Sequence, residues 1–311
     1  MKNVLVTGVS GFVGKACYIE AQRCGRFNVT GSVRTSSSLD EKSFFYSGSI
    51  SSSTDWKVAL TDISVVAHIA GMAHGSGADN GQELHEVNCE ATLNLAMQAA
   101  INGVKRFVFL SSIGVNGTFS NQPFTEEDNP DPTGAYARSK WDAEQGLWRI
   151  HEKTGMEIVI IRPPLVYGYN APGKFGSLVR LVEKCVPLPL GAVKNKRSFV
   201  SLDNLVDLII SCFEHPAAAN QVYLAGDGED ISTTDLLRGV AKSIGKPSFL
   251  VPVPAYMLRF AATALGKKGL ADGFLGNLQV DISKARRMLG WEPPFSVEEG
   301  HRRCHNKEKL N

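Results

Sequence analysis

Short apolar runs alternate with segments of helical or turn-forming composition along the first half of the chain. Each run spans only a few residues, which is the length of a buried strand. The runs are Val4–Thr7, Val29–Val33, Phe44–Ser47, Val65–Ile69, Phe107–Leu110 and Ile158–Ile161. Strands that alternate with helices predict parallel pairing through right-handed crossovers. The pattern therefore indicates an α/β fold with a doubly wound parallel sheet.

The same apolar spacing predicts where the helices lie. The predicted helices are Val87–Ala100, Thr133–Lys153, 174–185, 202–214 and 232–244, and Ser232 with Asp235 resembles a capping box at the start of the last one. Prolines and glycines crowd residues 163–191, and the pattern changes after about residue 168. We expect a first domain over 1–168 and a smaller α/β domain over 169–311, with some of the chain crossing back to the sheet.

Composition narrows the class of protein. The chain has 311 residues, 43% of them hydrophobic, so it can bury a large core. The formal net charge is only +2, which gives no reason to expect nucleic acid or an acidic membrane as partner. No uncharged run approaches the ~20 residues of a membrane helix. Residues 249–265 are apolar but contain Pro252, Pro254 and Arg259, and we predict a helix packed on the protein there.

The cysteines and the N-terminus indicate a cytoplasmic protein. Six cysteines are scattered without a C-x-x-C pair, as expected of free thiols in a reducing compartment. The N-terminal apolar run is too short for a signal peptide. The polar segment 301–311 is predicted to be a frayed tail.

Residues 3–14, NVLVTGVSGFVG, end a short apolar run in Gly8, Gly11 and Gly14. This order predicts a strand, a glycine turn and a helix. Backbone without side chains can approach a pyrophosphate closely, and the first amides of the next helix point at it. The spacing G-x-x-G-x-x-G is weak evidence by itself, but its place after the first strand favours dinucleotide binding.

Tyr136 and Lys140 lie four residues apart on a predicted helix and share one face. The preceding strand ends in Ser111 and Ser112, at the edge where open α/β sheets bind ligands. A free phenol has a pKa of about 10, and a nearby ammonium lowers it toward neutral pH. We predict Tyr136 as acid/base, Lys140 as its activating cation and Ser112 as the hydroxyl that orients the substrate oxygen. Taken singly, each residue also fits ordinary packing.

Together these motifs resemble the extended short-chain dehydrogenases/reductases of the nucleotide-sugar epimerase/dehydratase group. The matching segments span nearly the whole chain: TGVSGFVG (7–14), HIAG (68–71), VNCEATLNL (87–95), FLSSIGVNG (109–117), YARSK (136–140), IRPPLVYG (161–168), RSFVSLDNLVD (197–207) and DISKARRMLGWEP (281–293). The resemblance implies a Rossmann domain, a small C-terminal substrate domain, a nicotinamide dinucleotide and nucleoside-diphosphate sugar substrates. It also implies a homodimer, joined by a four-helix bundle from 87–101 and 136–152.

The resemblance assigns Ser112, Tyr136 and Lys140 to the catalytic set. Arg197 matches a residue that contacts the nucleotide phosphates, and Asn116 is expected beside the substrate. The residues predicted to contact the cofactor are Gly8, Gly11, Phe12, Val13, Gly14, Arg34, Ile69, Ala70, Gly71, Asn88, Tyr136, Lys140 and Pro163. Structural roles stay open for Asn88, as a helix cap or buried amide, and for Arg197, as a surface arginine.

Several positions depart from the family pattern. Leu165 and Asn116 stand where Asn and Tyr are usual, and an arginine often found near Leu278 is missing. Ser112-Ile113-Gly114 lacks the acid that follows in the dehydratases, so 4,6-dehydration is not expected. Residues 188–210 most resemble bacterial polysaccharide enzymes that reduce or epimerise UDP-linked N-acetylated hexoses at C4.

Arg34 bears on the choice of cofactor. It lies 20 residues after Gly14, where NAD enzymes usually place an acid for the ribose 2′-hydroxyl. A guanidinium can instead pair with a 2′-phosphate, and Ser32, Thr35 and Ser36 could add hydroxyls. NADP(H) is therefore favoured. NAD(H) remains the alternative if Arg34 is an exposed loop residue.

Three functions follow from these observations. The main hypothesis is a reductase of a UDP-linked 4-keto-6-deoxy sugar. A UDP-glucose or UDP-N-acetylglucosamine 4-epimerase is the alternative. A non-catalytic dinucleotide sensor is the third, and the retained Tyr136 and Lys140 count against it.

Two other kinds of site are set aside. His68, His74 and His85 match no tight metal-ligand spacing, so no metal site is predicted, and His68 is interpreted as a strand residue beside the cofactor. Glu126-Glu127-Asp128 is interpreted as a solvated acidic turn rather than a glycosidase pair.

Overall fold

The computed structural model describes residues 1–35, 43–73, 81–266 and 268–304. Ser36, His74 and residues 305–311, which enter the sequence predictions, lie outside these ranges. The strands are β1 (Lys2–Thr7), β2 (Phe27–Val33), β3 (Phe44–Tyr46), β4 (Val65–His68), β5 (Arg106–Leu110), β6 (Glu157–Arg162), β7 (Leu165–Tyr167), β8 (Arg197–Ser201), β9 (Gln221–Leu224) and β10 (Asp230–Ile231).

The main sheet is parallel throughout the described residues, in the order β3-β2-β1-β4-β5-β6-β9. The chain order reverses between β1 and β4, which is the topological switch point where such sheets bind ligands. The predicted doubly wound, Rossmann-type α/β fold is confirmed. A separate small sheet has the order β10-β8-β7; its strands β8 and β10 come from the predicted second domain, whereas β7 precedes residue 168.

The helices are α1 (Phe12–Arg23), α2 (Gly81–His85), α3 (Ala91–Ile101), α4 (Ala135–Thr154), α5 (Gly173–Glu183), α6 (Leu202–Ser211), α7 (Thr233–Ser243), α8 (Ala255–Ala264), α9 (Lys268–Leu275), α10 (Ser283–Leu289) and α11 (Val297–Arg303). A π-helical turn, Glu86–Glu90, joins α2 to α3. Helix α7 has Ser232 as its N-cap, whose hydroxyl accepts from the backbone N–H of Asp235 at 3.0 Å.

Alternation along the central strands sends side chains into two cores. Val4 and Val6 of β1 face the core that α1 and α6 cover, whereas Leu5 faces the core formed with α3 and α4. All three side chains are fully buried. Helices on both faces explain why the predicted strands are almost uniformly apolar.

Two sequence predictions concern helices near the C-terminus, and one of them is wrong. The helix predicted within 249–265 is confirmed as α8, which packs on α9 through Leu258 and Ala262. The chain beyond 300 is not frayed at its start, because α11 packs against α7 and buries His301 and Cys304. No described helix is long and apolar enough to cross a membrane. The domain boundary at residue 168 stays a prediction.

Candidate active site

The glycine turn lies between β1 and α1 and is held by close backbone contacts. Gly8 has φ +74°, and a Cβ on it would lie 2.8 Å from Ala70 Cα. A Cβ on Gly14 would lie 2.1 Å from the Gly8 carbonyl oxygen. The Gly11 N–H donates to that same oxygen at 2.8 Å. Side chains at these positions would therefore force the turn apart.

The start of α1 fits a diphosphate. Gly11 is the N-cap and offers no side-chain hydrogen bond, and the first turn contains no acid. The first N–H groups of a helix have no partner within it and carry partial positive charge. Phe12 and Val13, predicted as cofactor contacts, pack partly into the core and anchor the helix. The cradle of small residues and free amides thus fits the predicted dinucleotide.

His68 connects the end of β1 to α3. Its Nδ1 lies 2.8 Å from Thr7 Oγ1 and its Nε2 lies 2.9 Å from Thr92 Oγ1. Thr7 Oγ1 also accepts from the backbone N–H groups of Ile69 and Ala70, both at 3.2 Å. Burial, and then the charge of Lys140, lowers the pKa of His68 to about 3. A neutral, fully buried imidazole therefore fixes the HIAG segment against β1.

Asn88 lies in the π-helical turn Glu86–Glu90 and is fully buried. Its Oδ1 accepts from the Met72 N–H at 2.8 Å, and its Nδ2 donates to the Met72 carbonyl at 2.9 Å. Nδ2 also donates to Ser139 Oγ at 3.1 Å, and Ser139 in turn donates to the Tyr136 carbonyl. Asn88 is thus a buried amide that ties the loop after β4 to the helix carrying Tyr136.

Ser112 and Tyr136 are brought together at the carboxyl end of β5. The Ser112 side chain lies near enough to the Tyr136 phenol to affect its pKa, and Ser112 Oγ accepts from the Gly114 N–H at 3.1 Å. The next residue, Ile113, donates its N–H to the Pro163 carbonyl at 2.9 Å, which fixes the segment on β6. Burial raises the pKa of Tyr136, and the nearby Ser112 hydroxyl opposes that rise. The expected lowering of the Tyr136 pKa by Lys140 does not appear, and only Ser112 opposes the effect of burial.

Lys140 lies one turn after Tyr136 on α4 and is buried. Its Nζ donates to the Leu110 carbonyl at 2.9 Å and lies 4.6 Å from the centre of the Phe109 ring. Desolvation lowers the pKa of Lys140 to about 8. A Cβ on Gly71 would lie 3.2 Å from Nζ and 3.0 Å from Asn88 Oδ1, so only glycine leaves that space open.

Glu144, one further turn along α4, anchors a buried polar network that the sequence analysis missed. Arg162 Nε and Nη2 donate to its two carboxylate oxygens at 3.0 and 2.5 Å, and Ser111 Oγ donates to Oε1 at 2.5 Å. Arg162 Nη1 donates to Asn116 Oδ1 at 2.9 Å, while Asn116 Nδ2 donates to the Thr125 carbonyl. The Asn116 amide, expected beside the substrate, is therefore held by protein groups on both sides.

Arg197 comes from β8 in the small sheet and is buried. Its Nη1 donates to the Gly276 carbonyl at 2.9 Å, and no described carboxylate pairs with it. Desolvation lowers its pKa to about 10. Its bridge partner Leu278 packs in one apolar cluster with Ile113, next to Ser112. A buried cation without a counter-charge fits an anionic ligand group, and Arg197 is not a surface arginine.

Arg34 is exposed and lines a cavity of about 820 Å³ with Lys15 and Thr35, beside the glycine turn. Ser32 is buried and donates to Ser47 Oγ at 3.1 Å, so its hydroxyl is engaged within the sheet edge. The cavity is large enough for the adenosine end of a dinucleotide, and Lys15 and Arg34 both line it.

Polar groups outside this cluster also bear on the sequence predictions. His85 Nε2 lies 3.1 Å from Glu90 and its Nδ1 3.5 Å from Asp142, and Cys89 lies close by. The absence of a metal site stays a prediction. Glu126 is not solvated as expected, because its carboxylate is half-buried and accepts from the Leu224 N–H at 2.9 Å.

Comparison with known proteins gives a consistent family. The model of the NAD dependent epimerase/dehydratase family matches residues 4–226. A UDP-glucose 4-epimerase from Vibrio cholerae is 43% identical over 96% of this chain and 93% of its own length. The Escherichia coli O157:H7 N-acetyl-alpha-D-glucosaminyl-diphospho-ditrans,octacis-undecaprenol 4-epimerase is 28% identical over 96% of this chain and 92% of its own.

Solved structures show the same fold. UDP-glucuronic acid 4-epimerase from Bacillus cereus, in complex with NAD, superposes with a TM-score of 0.80 at 21% identity, covering 97% of this chain and 96% of that one. UDP-N-acetylglucosamine 4-epimerase from the same organism has a TM-score of 0.80 at 20% identity, covering 98% of both chains.

Proposed function

Because the chain belongs to the NAD-dependent epimerase/dehydratase family, we propose that it interconverts the C4 epimers of a UDP-hexose. The Ser112 hydroxyl beside the Tyr136 phenol, with Lys140 one turn away on α4, carries this proposal. The Vibrio cholerae relative, named a UDP-glucose 4-epimerase, favours epimerisation over the reduction of a 4-keto-6-deoxy sugar, which was the main hypothesis from sequence. The family assignment sets the sensor hypothesis aside.

The residues divide the chemistry between them. Tyr136 takes the proton of the sugar C4 hydroxyl and later returns it, while Ser112 bonds the same oxygen and keeps it in line. Lys140 presents its ammonium between the Leu110 carbonyl and the space beside Gly71, where it can hold a ribose hydroxyl. A bound nicotinamide dinucleotide supplies the hydride chemistry at C4.

The cofactor is proposed to be held by the glycine turn and the start of α1. The Bacillus cereus relative is described in complex with NAD, which supports NAD as the resident cofactor. The expected preference for NADP(H) depends on Arg34. That side chain is exposed beside its cavity, which is the condition under which NAD(H) is the alternative. Epimerisation returns the cofactor unchanged, so it needs no NADPH pool.

The substrate end is proposed to be anchored by Arg197. Its buried guanidinium, without a carboxylate partner in the described chain, suits a sugar-linked diphosphate. Leu165 stands where the family usually has an asparagine and offers no polar side-chain atom to the diphosphate. Arg197 therefore contributes a larger part of the diphosphate binding than it would with an asparagine at position 165.

A sugar diphosphate carried on polyprenol is a second candidate substrate. The Escherichia coli relative is named for such a lipid-linked sugar. The observation that favours it here is the set of apolar side chains exposed on α8. This helix packs on α9 by its other side, and α9 ends directly before Gly276, whose carbonyl accepts from Arg197.

We also propose a homodimer in the cytoplasm. Helices α3 and α4 pack side by side and correspond to the segments expected to form a four-helix bundle. The six free cysteines support a reducing compartment. Light scattering coupled to size exclusion would measure twice the chain mass of 33.7 kDa if the dimer forms.

The deciding experiment incubates the protein with UDP-glucose or UDP-N-acetylglucosamine and catalytic NAD, and separates the sugar nucleotides by chromatography. Epimerisation yields the C4 epimer with no net change in cofactor absorbance. Stoichiometric loss of NADPH with a 4-keto sugar, and no epimer, would instead support the reductase.

Tyr136→Phe supplies the second arm of that experiment. It should abolish turnover while NAD still binds, and Tyr256→Phe, an exposed tyrosine on α8, is the matched control. Full turnover in Tyr136→Phe would remove the proposed acid/base.

A further inference from the structure

We infer that the exposed apolar side of α8 and the segment before it form a docking face for an anionic membrane surface. This α8 face consists of Tyr256, Met257 and Phe260 on the helix, together with Phe249 and Val251, which are exposed in the segment before it. Tyr256 is 72% exposed and Phe260 is 79% exposed. Phe260 lies four residues after Tyr256 and three after Met257, so these side chains are neighbours on the helix. Exposed apolar side chains grouped in this way mark interaction sites.

The α8 helix packs on the protein by one narrow stripe. Ala255, Leu258 and Ala262 are half-buried, and Leu258 and Ala262 contact the cluster that includes Ala271 and Leu275. An ordinary surface helix turns its largest apolar side chains toward the core. Here the aromatic residues lie on the outward side, so the core does not account for them.

The charge around the face identifies the partner. Residues 236–271 contain six Lys and Arg residues and no Asp or Glu. Among the described residues, Arg238 pairs with Asp235 and Lys242 with Glu298, whereas Lys246 and Arg259 have no carboxylate partner. Aromatic and aliphatic side chains flanked by cations are the composition of helices that lie in the interface of anionic bilayers.

A second copy of the chain is a poorer partner for the same face. A two-fold contact places identical surfaces opposite each other. The unpaired Lys246 and Arg259 would then meet a surface that carries the same two unpaired cations. An anionic lipid surface offers the opposite charge together with an apolar layer.

The face lies next to the proposed substrate anchor. Arg259 Nη2 donates to the Leu275 carbonyl at 3.3 Å, and the following residue, Gly276, accepts from Arg197. A protein docked through α8 would therefore hold the substrate side of the molecule at the lipid surface. The inference does not depend on the proposed reaction, because vesicle binding is measured without turnover.

The test is flotation of the full chain with vesicles of phosphatidylcholine alone or mixed with phosphatidylglycerol. The protein should float with the anionic vesicles only, and added salt should weaken the binding. The double variant Tyr256→Ser/Phe260→Ser should lower partitioning about tenfold or more, because two aromatic side chains no longer enter the interface. Val58→Ser, at 77% exposure on another surface, is the matched control and should bind like the parent.

Three results would overturn the inference: no binding to the anionic vesicles, equal binding by the double variant, or self-association in solution that the double variant abolishes. The substituted side chains are exposed, so the variant should keep its thermal stability. Intact turnover of a soluble UDP-sugar without vesicle binding would remove the docking face and leave the proposed reaction standing. Vesicle binding without turnover of any UDP-sugar would keep the docking face and remove the proposed reaction.

Discussion

Glu144 and Arg162 form a two-point ion pair that is almost completely buried behind the candidate active site. The pair joins α4 to β6, and Glu144 also accepts from Ser111, the neighbour of the proposed catalytic Ser112. The ion pair therefore couples the helix that carries Tyr136 and Lys140 to the strand end that carries the serine.

Removing the carboxylate should destabilise the fold strongly. Glu144→Ala leaves Arg162 buried without a counter-charge, which costs about 3–5 kcal/mol. Urea unfolding measures the difference. Glu20→Ala, which breaks the exposed pair with Arg23, should change stability by less than about 1 kcal/mol. If Glu144→Ala does not fold, Glu144→Leu/Arg162→Met should recover part of the loss. Equal effects of the two alanine variants would contradict this account.

Gly14→Ala should damage both stability and dinucleotide binding. The new Cβ would meet the Gly8 carbonyl at 2.1 Å, so the turn must open. Overpacking of this kind costs about 1–3 kcal/mol. Gly269→Ala, where no described atom lies within 4 Å of the new Cβ, is the control. Thermal unfolding would measure the loss of stability, and calorimetric titration with NAD would measure the loss of binding. An unchanged NAD affinity in Gly14→Ala would contradict the proposal that the glycine turn binds the dinucleotide.

His68 should make the fold acid-sensitive. Its pKa is about 3 in the folded chain and 6.5 as the reference value, so the unfolded chain takes up the proton first as pH falls. Stability should therefore decline from pH 6.5 toward pH 3. His301, with a pKa lowered to about 4, acts in the same direction.

His68→Asn should remove most of the decrease in stability toward low pH. The smaller decrease that comes from His301 should remain. Urea midpoints measured across that range would show it. An unchanged slope in His68→Asn would mean that the imidazole is not the group responsible.

Lys140 should set the alkaline limit of activity. Burial lowers its pKa to about 8, so the ammonium is lost above that pH. We expect kcat/KM for the proposed epimerisation to fall with an apparent pKa near this value. Lys140→Met should be inactive at every pH, whereas Lys242→Met, at an exposed ion pair, should keep the parent profile. A flat profile up to pH 10 would exclude Lys140 as the group that titrates.

Arg34 should decide the binding of NADP but not of NAD. A charge-assisted contact with the 2′-phosphate contributes about 1.5–3 kcal/mol, so Arg34→Ala should weaken NADP binding about tenfold or more. NAD carries no 2′-phosphate and its affinity should stay the same. Calorimetric titration of both dinucleotides into parent and variant measures the difference. A parallel loss of both affinities would show that Arg34 acts on the shape of the cavity instead.

The sequence predicts the central sheet and the shared helix face well because long apolar runs and four-residue spacing leave strong signals. The strands β7, β9 and β10 were missed, since each has only two to four residues and lies near prolines or glycines. The five-residue β8 has no alternation to mark it, because all its side chains are buried.

Functional side chains were found where they lie at strand ends and missed where they support others. Glu144 follows Lys140 by four residues, the same spacing that singled out Tyr136, and that repeat could have identified it. Arg162 left no such signal, because its partners come from α4 and from the loop after β5. The π-helical turn around Asn88 has no distinctive composition and depends on contacts with Met72 and Ser139.

Strand β9 pairs with β6 and closes one edge of the main sheet, although it follows β6 by about sixty residues of chain. A fragment that ends at residue 168 would leave the apolar β6, Glu157–Arg162, as an unprotected edge, which invites aggregation. Expression of the cofactor-binding half alone should therefore give insoluble material. Useful truncations must keep Gln221–Leu224, and a split of the gene into two complementary pieces has to leave that strand with the first piece or supply it in trans.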